Sequence, residues 1–139
     1  MSEENVEIVR RLFEAVARRD TETALRLYHP EVEFDGRRHR WAELISAQHE
    51  TFRGHEGLRA WAKEYYSAWE NLDDSLEELV EAGEHVISIV TTRGRGKASG
   101  VEVELKRSAG VWTFRDGLIS KVVWYSSPED AFAAIGLES

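Results

Sequence analysis

The sequence predicts an α+β fold: helices first, then a curved antiparallel β-sheet forming a half-open cone, with the N-terminal helices packed across it. Three observations predict it. Apolar residues recur at helical spacing through the first half of the chain. Alternating, β-branched runs fill the second half. An Asp116-Gly117 pair joins two of those runs as a hairpin. The chain has 139 residues and no internal repeat, so residues 1–139 read as a single domain with one hydrophobic core.

The first helix is expected from about Glu3 to Arg19, with Val6, Val9, Phe13 and Val16 on one face and Leu12 beside them. Asp20 reads as the N-cap of a short helix from Thr21 to Tyr28, stopped by Pro30. Glu31 to Asp35 alternates and predicts a strand, with Val32 and Phe34 on one face. The stretch from Gly36 to Phe52 gives no clear period. A third helix is expected from Glu56 to Asn71, with Leu58, Ala62, Tyr65, Trp69 and Leu72 as its apolar stripe.

Strands follow at Leu76 to Ala82 and Val86 to Thr92. Gly94, Gly96 and Gly100 are read as loosening the next connection. One long strand runs from Val101 to Arg115, with a bulge or bend expected at Ser108-Ala109-Gly110. Leu118 to Tyr125 returns as the last strand. Ser127 and Pro128 then open a closing helix that Gly136 ends.

Composition excludes several classes of function. There is no cysteine, hence no disulfide, thiolate metal site or cysteine nucleophile. A net charge of −8 opposes nucleic-acid binding, which needs Lys and Arg to neutralise phosphates. No apolar run approaches the roughly 20 residues of a membrane span. The acidic opening lacks the basic-then-apolar order of a signal peptide, so the expected location is cytoplasmic. Five Trp, four Tyr and five Phe are enough to line a pocket or to fill one.

Five stretches, in order and covering nearly the whole chain, carry a family resemblance. They are Leu25 to Phe34, Phe52 to Trp61, Gly94 to Glu104, Val111 to Tyr125 and Asp130 to Leu137. Through them the chain resembles the nuclear transport factor 2-like superfamily in its SnoaL-like branch. The resemblance implies a cone-shaped α+β fold of the cystatin-like kind with a deep apolar pocket, in a homodimer formed through the sheet face. It implies no single function, because the superfamily holds isomerases, cyclases, hydrolases, dehydratases and non-catalytic binders.

The catalytic residues of those branches do not carry over. At the ketosteroid isomerase positions this chain has Leu12, Gly36 and Gly110. Asp35 is one residue from the base position, and a one-residue slip in a strand reverses the side chain. The cyclase Asp near the end of the last strand falls in Trp124-Tyr125-Ser126-Ser127, which has no carboxylate. Arg93 or Arg95 supplies an Arg for an epoxide hydrolase arrangement, but no strand-borne Asp pair flanks it.

The remaining candidates for an acid or base are His49, Asp35 and His39, set against their reading as structural or solvated residues. Tyr65, Trp69, Trp112, Phe114 and Trp124 are the expected ligand-binding wall, with core filling as the alternative. No histidine spacing forms a metal pair, so no metal is expected, and Gly94-Arg95-Gly96 lacks the spacing and helix of a dinucleotide site, so no cofactor is expected. The expected partner is a small, largely apolar organic molecule, bound with or without turnover. An interaction module is the third reading. An open pocket holding a buried ionisable group favours the enzyme, and a purely apolar one favours simple binding.

Overall fold

The computed structural model describes residues 2–36 and 51–136. The first amphipathic segment forms α1 (Ser2–Ala17), which buries Val9, Leu12 and Ala15. Its end is a Schellman turn. Arg19 N–H donates to the Val16 carbonyl at 3.0 Å and Asp20 N–H to the Ala15 carbonyl at 2.9 Å. Arg19 occupies the left-handed position, φ 58°, that usually falls to glycine.

Asp20 caps α2 (Thr21–Leu25), accepting from Thr23 N–H at 3.2 Å and from Thr23 Oγ1 at 2.6 Å. This helix is shorter than expected. Ile119 N–H donates to the Leu27 carbonyl at 3.0 Å, so the sheet captures the chain before the helix reaches Tyr28. Tyr28 instead opens β1 (Tyr28–Asp35). Pro30 lies inside that strand, where the pairing register shifts between Tyr28 and Glu33 and a donor is not required.

After β2 (Thr51–Arg53) comes α3 (Gly54–Ser67). The helical period continues in the sequence to Leu72, but the helix stops at Ser67. Trp69 begins β3 (Trp69–Ala82), pairing with Gly96 of β4 (His85–Gly96). Pairing along this long antiparallel ladder overrides local helical periodicity. Gly94 and Gly96 therefore belong to a strand rather than a loose connection. A methyl group on Gly94 would lie 3.0 Å from the Trp69 ring, so the glycine is where the indole rests.

β5 (Glu102–Arg115) carries its bulge at Lys106-Arg107, not at Ser108-Ala109-Gly110. Val90 pairs with Ser108 and Thr92 with Leu105, leaving two residues of β5 against Thr91 alone. Arg107 has φ 51°, and its N–H donates to Thr91 Oγ1 at 3.2 Å. Gly110 serves a close approach instead. A methyl group there would lie 3.0 Å from both Ser88 Oγ and Trp112 Nε1. The Asp116-Gly117 turn has both residues at positive φ, 55° and 75°, and returns the chain into β6 (Leu118–Tyr125). Ser127 caps α4 (Pro128–Ala134), accepting from Asp130 N–H at 3.2 Å.

The six strands order β2-β1-β6-β5-β4-β3 in one mixed sheet that does not close into a barrel. The β1–β6 pair is parallel and the other pairs are antiparallel. Strand alternation divides the core. Val86 and Trp112 face α1, α2 and α3, whereas Ile87, Ile89, Ala109 and Val111 pack with Ala131 and Phe132 of α4 on the other face. No described helix is long and apolar enough to cross a membrane. Val101 is the exposed large hydrophobic among the described residues.

Candidate functional site

Between the helices and the sheet lies a cavity of about 90 Å³. Its floor comes from strand residues of one parity: Val90 and Thr92 on β4, Ser108 and Trp112 on β5, Trp124 on β6. Its roof comes from Leu12, Phe13 and Val16 on α1 and from Trp61, Tyr65 and Tyr66 on α3. Tyr28 and Phe34 of β1 close one side, and Asp74 of β3 stands at the other.

The rings hold one another in fixed relations. Trp61 stacks on Tyr65, with centroids 5.0 Å apart and planes 12° from parallel. Phe34 lies 4.5 Å from Trp61. Trp112 meets Phe13 and Trp124 edge to face at 6.0 and 5.9 Å. Trp112 is fixed further by its Nε1–H, which donates to the buried Ser88 Oγ at 2.8 Å. These contacts form walls around the space rather than filling it.

Asp74 is the one carboxyl group among the described lining residues. It pairs with Thr92 across the β3–β4 ladder, and Thr92 Oγ1 donates to Asp74 Oδ1 at 2.6 Å. Burial pushes the Asp74 carboxyl above the ordinary aspartate value, and the neighbouring Asp73 adds to that. The Thr92 hydrogen bond and the charge of Arg19 hold the rise back. Burial likewise pushes the Tyr66 hydroxyl up to about 12 and those of Tyr28 and Tyr65 well above the tyrosine norm. Near neutral pH the three tyrosines are therefore neutral groups, and Asp74 is a carboxyl whose burial favours its protonated form.

A second chamber of about 50 Å³ adjoins the first and shares Leu12, Val16, Tyr28, Trp61 and Tyr66 with it. Arg19 belongs to this outer chamber. Its guanidinium carbon sits 4.5 Å from the Tyr66 ring centroid, and its terminal nitrogens donate to the Val16 and Leu72 carbonyls at 3.0 and 2.9 Å.

Tyr65, Trp112 and Trp124 lie on the cavity wall. Trp69 does not. Its move from helix to strand puts it beside Tyr65, Leu72 and Leu105 in a side cluster, its Nε1–H buried without a partner among the described residues. Phe114 lies nearer the Asp116-Gly117 turn than Trp112 does, and with Ile8 of α1 it lines a surface depression, not the cavity. Asp35 is buried at 6% exposure, but it follows Phe34, which faces the cavity, so strand alternation turns it to the opposite side. His39 and His49 lie outside the described residues. Among the described residues no three His, Asp or Glu side chains gather as a metal site.

Asp74 and Thr92 were not among the sequence candidates. Leu72, Asp74 and Leu76 share one parity, so an acid on the apolar side of a strand was the available signal. It was hidden because a helix was expected to run through Asn71.

Residues 9–122 match the SnoaL-like domain family. None of the curated protein sequences compared matches the chain. Among solved structures, a nuclear transport factor 2-like protein of unknown function from Burkholderia pseudomallei is similar at 22% identity and a TM-score of 0.77, over 96% of this chain and 98% of that one. A Mycobacterium tuberculosis protein in complex with estradiol-17beta-hemisuccinate is similar at 17% identity and a TM-score of 0.71, over 88% and 92%. A protein from Catenulispora acidiphila with a ketosteroid isomerase-like fold, in complex with trimethylamine, is similar at 19% identity and a TM-score of 0.62, over 84% and 82%. At these identities the likeness shows the fold alone.

Proposed function

The chain belongs to the SnoaL-like domain family, and from that premise we propose that it binds a compact, largely apolar organic molecule in the aromatic cavity. Asp74 is the polar anchor and the acid or base for proton transfer. The observation that carries the proposal is one carboxyl group, raised by burial, on a wall whose other described residues are aromatic, aliphatic and hydroxyl-bearing.

Proteins of similar fold hold ligands as unlike as a steroid ester and trimethylamine. The fold therefore does not choose the ligand, and this chain's own side chains must. A cavity of about 90 Å³ is small beside the roughly 300–1,000 Å³ of drug-sized sites, which supports a compact ligand. Turnover would need no cofactor: the rings orient the molecule, exclude water and leave Asp74 to move one proton. Homodimerisation through the sheet face stays part of the proposal, with light scattering after gel filtration as its check.

A thermal-shift panel of compact neutral, acidic and basic organic compounds tests the binding. At least one is expected to raise the melting temperature by mass action. Val90→Phe, which fills the cavity, is expected to abolish the effect. No shift from any compound overturns the proposal. Proton transfer is tested by deuterium exchange into the bound compound. Asp74→Asn is expected to slow that exchange roughly 100-fold. Binding without exchange leaves a non-catalytic binder.

A further inference from the structure

We propose that the ligand of this cavity is a compact organic cation, a quaternary or protonated tertiary alkylamine, held by the Asp74 carboxylate inside a box of aromatic rings. The inference rests on the cavity being a ligand site, and it names the chemical class of that ligand.

Charge is the first ground. Among the described lining residues, Asp74 is the ionisable acid or base other than the neutral tyrosines. Its carboxylate accepts a hydrogen bond from Thr92 Oγ1 at 2.6 Å, and among the described residues Arg19 is the cation whose charge reaches it. A carboxylate surrounded by apolar groups is costly until a cation or further donors meet it. Arg19 does not fill that role. It lines the adjoining chamber and not this cavity, its terminal nitrogens donate to the Val16 and Leu72 carbonyls, and its charge reaches Asp74 without forming an ion pair with it among the described residues.

Ring geometry is the second ground. Phe34, Trp61, Tyr65, Tyr66, Trp112 and Trp124 surround the space on several sides. The faces of such rings carry negative charge density and attract cations, Trp most strongly. A neutral apolar ligand would use the rings but leave Asp74 unmet. An anion would be repelled by Asp74. A small onium group uses both.

Volume is the third. About 90 Å³ suits a head group of a few methyl-bearing centres rather than a fused-ring molecule.

Choline and dimethylbutanol, in which a carbon replaces the ammonium nitrogen, test the inference. Binding is read by tryptophan fluorescence and by thermal shift, on the wild type and on Asp74→Asn, whose fold is checked by circular dichroism. Choline is expected to bind the wild type at least about tenfold more tightly than its uncharged counterpart. Asp74→Asn is expected to cut that preference several-fold while keeping any affinity for the alcohol. Equal or tighter binding of the alcohol to the wild type overturns the cation inference and leaves the cavity reading standing. A choline preference undiminished in Asp74→Asn also overturns it. Binding of neither probe overturns the inference, and the cavity reading falls with it only if the wider panel is silent too.

Discussion

Asp74 and Thr92 face each other across the β3–β4 ladder, and the threonine hydroxyl holds one oxygen of the carboxyl at 2.6 Å on the wall of an aromatic cavity. The pair forms because both residues have the inward parity of their strands. The hydroxyl satisfies only part of what the carboxylate would have in water. Burial therefore wins, and the carboxyl is pushed above its ordinary value despite the hydrogen bond.

Asp74→Asn tests the pH consequence. The folded value is raised, so the folded state holds the proton more tightly than the unfolded chain. That stabilisation is fully present below the unfolded aspartate value and is lost as pH rises through the folded one. Tyr65, Tyr66, Asp73 and Arg19 are the other groups whose interactions with Asp74 enter this balance. The expected result at neutral pH is a melting temperature for Asp74→Asn equal to the wild type or higher by about 1–4 °C. The gap should close on acidification toward the ordinary aspartate range. A gap independent of pH would contradict the burial account.

Thr92→Val removes the donor while keeping the shape. The Asp74 carboxyl should titrate still higher, read by carbon NMR of its carboxyl. The lost bond should cost about 1 kcal/mol, read by denaturant unfolding.

Gly110→Ala would bring a methyl group to 3.0 Å from Ser88 Oγ and Trp112 Nε1, and to 3.2 Å from the Trp124 ring. Ser88 is fully buried and holds the Trp112 indole, so the strain should cost about 1–3 kcal/mol unless the indoles yield into the cavity. Displacement of Trp112 from Ser88 should also shift the tryptophan emission. Wild-type stability with an unchanged spectrum would contradict the close packing of Gly110 against Ser88 and Trp112.

Arg19→Gly relieves the left-handed backbone at φ 58° but removes the guanidinium from Tyr66 and from the Leu72 carbonyl. The two effects oppose each other, so stability should change by less than about 1 kcal/mol. The Asp74 titration should move upward, because a cation that lowers it is gone. That shift, rather than stability, checks the role of Arg19.

Local chemistry was enough for the elements whose signals lie within a few residues. Asp116-Gly117 formed its turn, and Ser127 with Pro128 opened α4. Asp20 capped α2. Each uses backbone donors or left-handed positions adjacent in the chain. The boundaries that shifted were those set by distant partners. Trp69 joined β3 because Gly96 pairs with it from 27 residues away. Tyr28 joined β1 because Ile119 lies alongside. The bulge at Lys106-Arg107 is a mismatch between two strands and belongs to neither sequence alone.

The sequence by itself determined that the fold is α+β and that it resembles the SnoaL-like family. Tertiary structure decided which aromatic rings bound the cavity, and it brought Asp74 and Thr92 together from positions 18 residues apart. It also left Trp69, Phe114 and Asp35 off the cavity wall. Pattern along a chain records the parity and propensity of each residue. Which rings meet, and which carboxyl loses its water, depends on the register between strands and on which helix covers them. Those are relations among residues far apart in sequence.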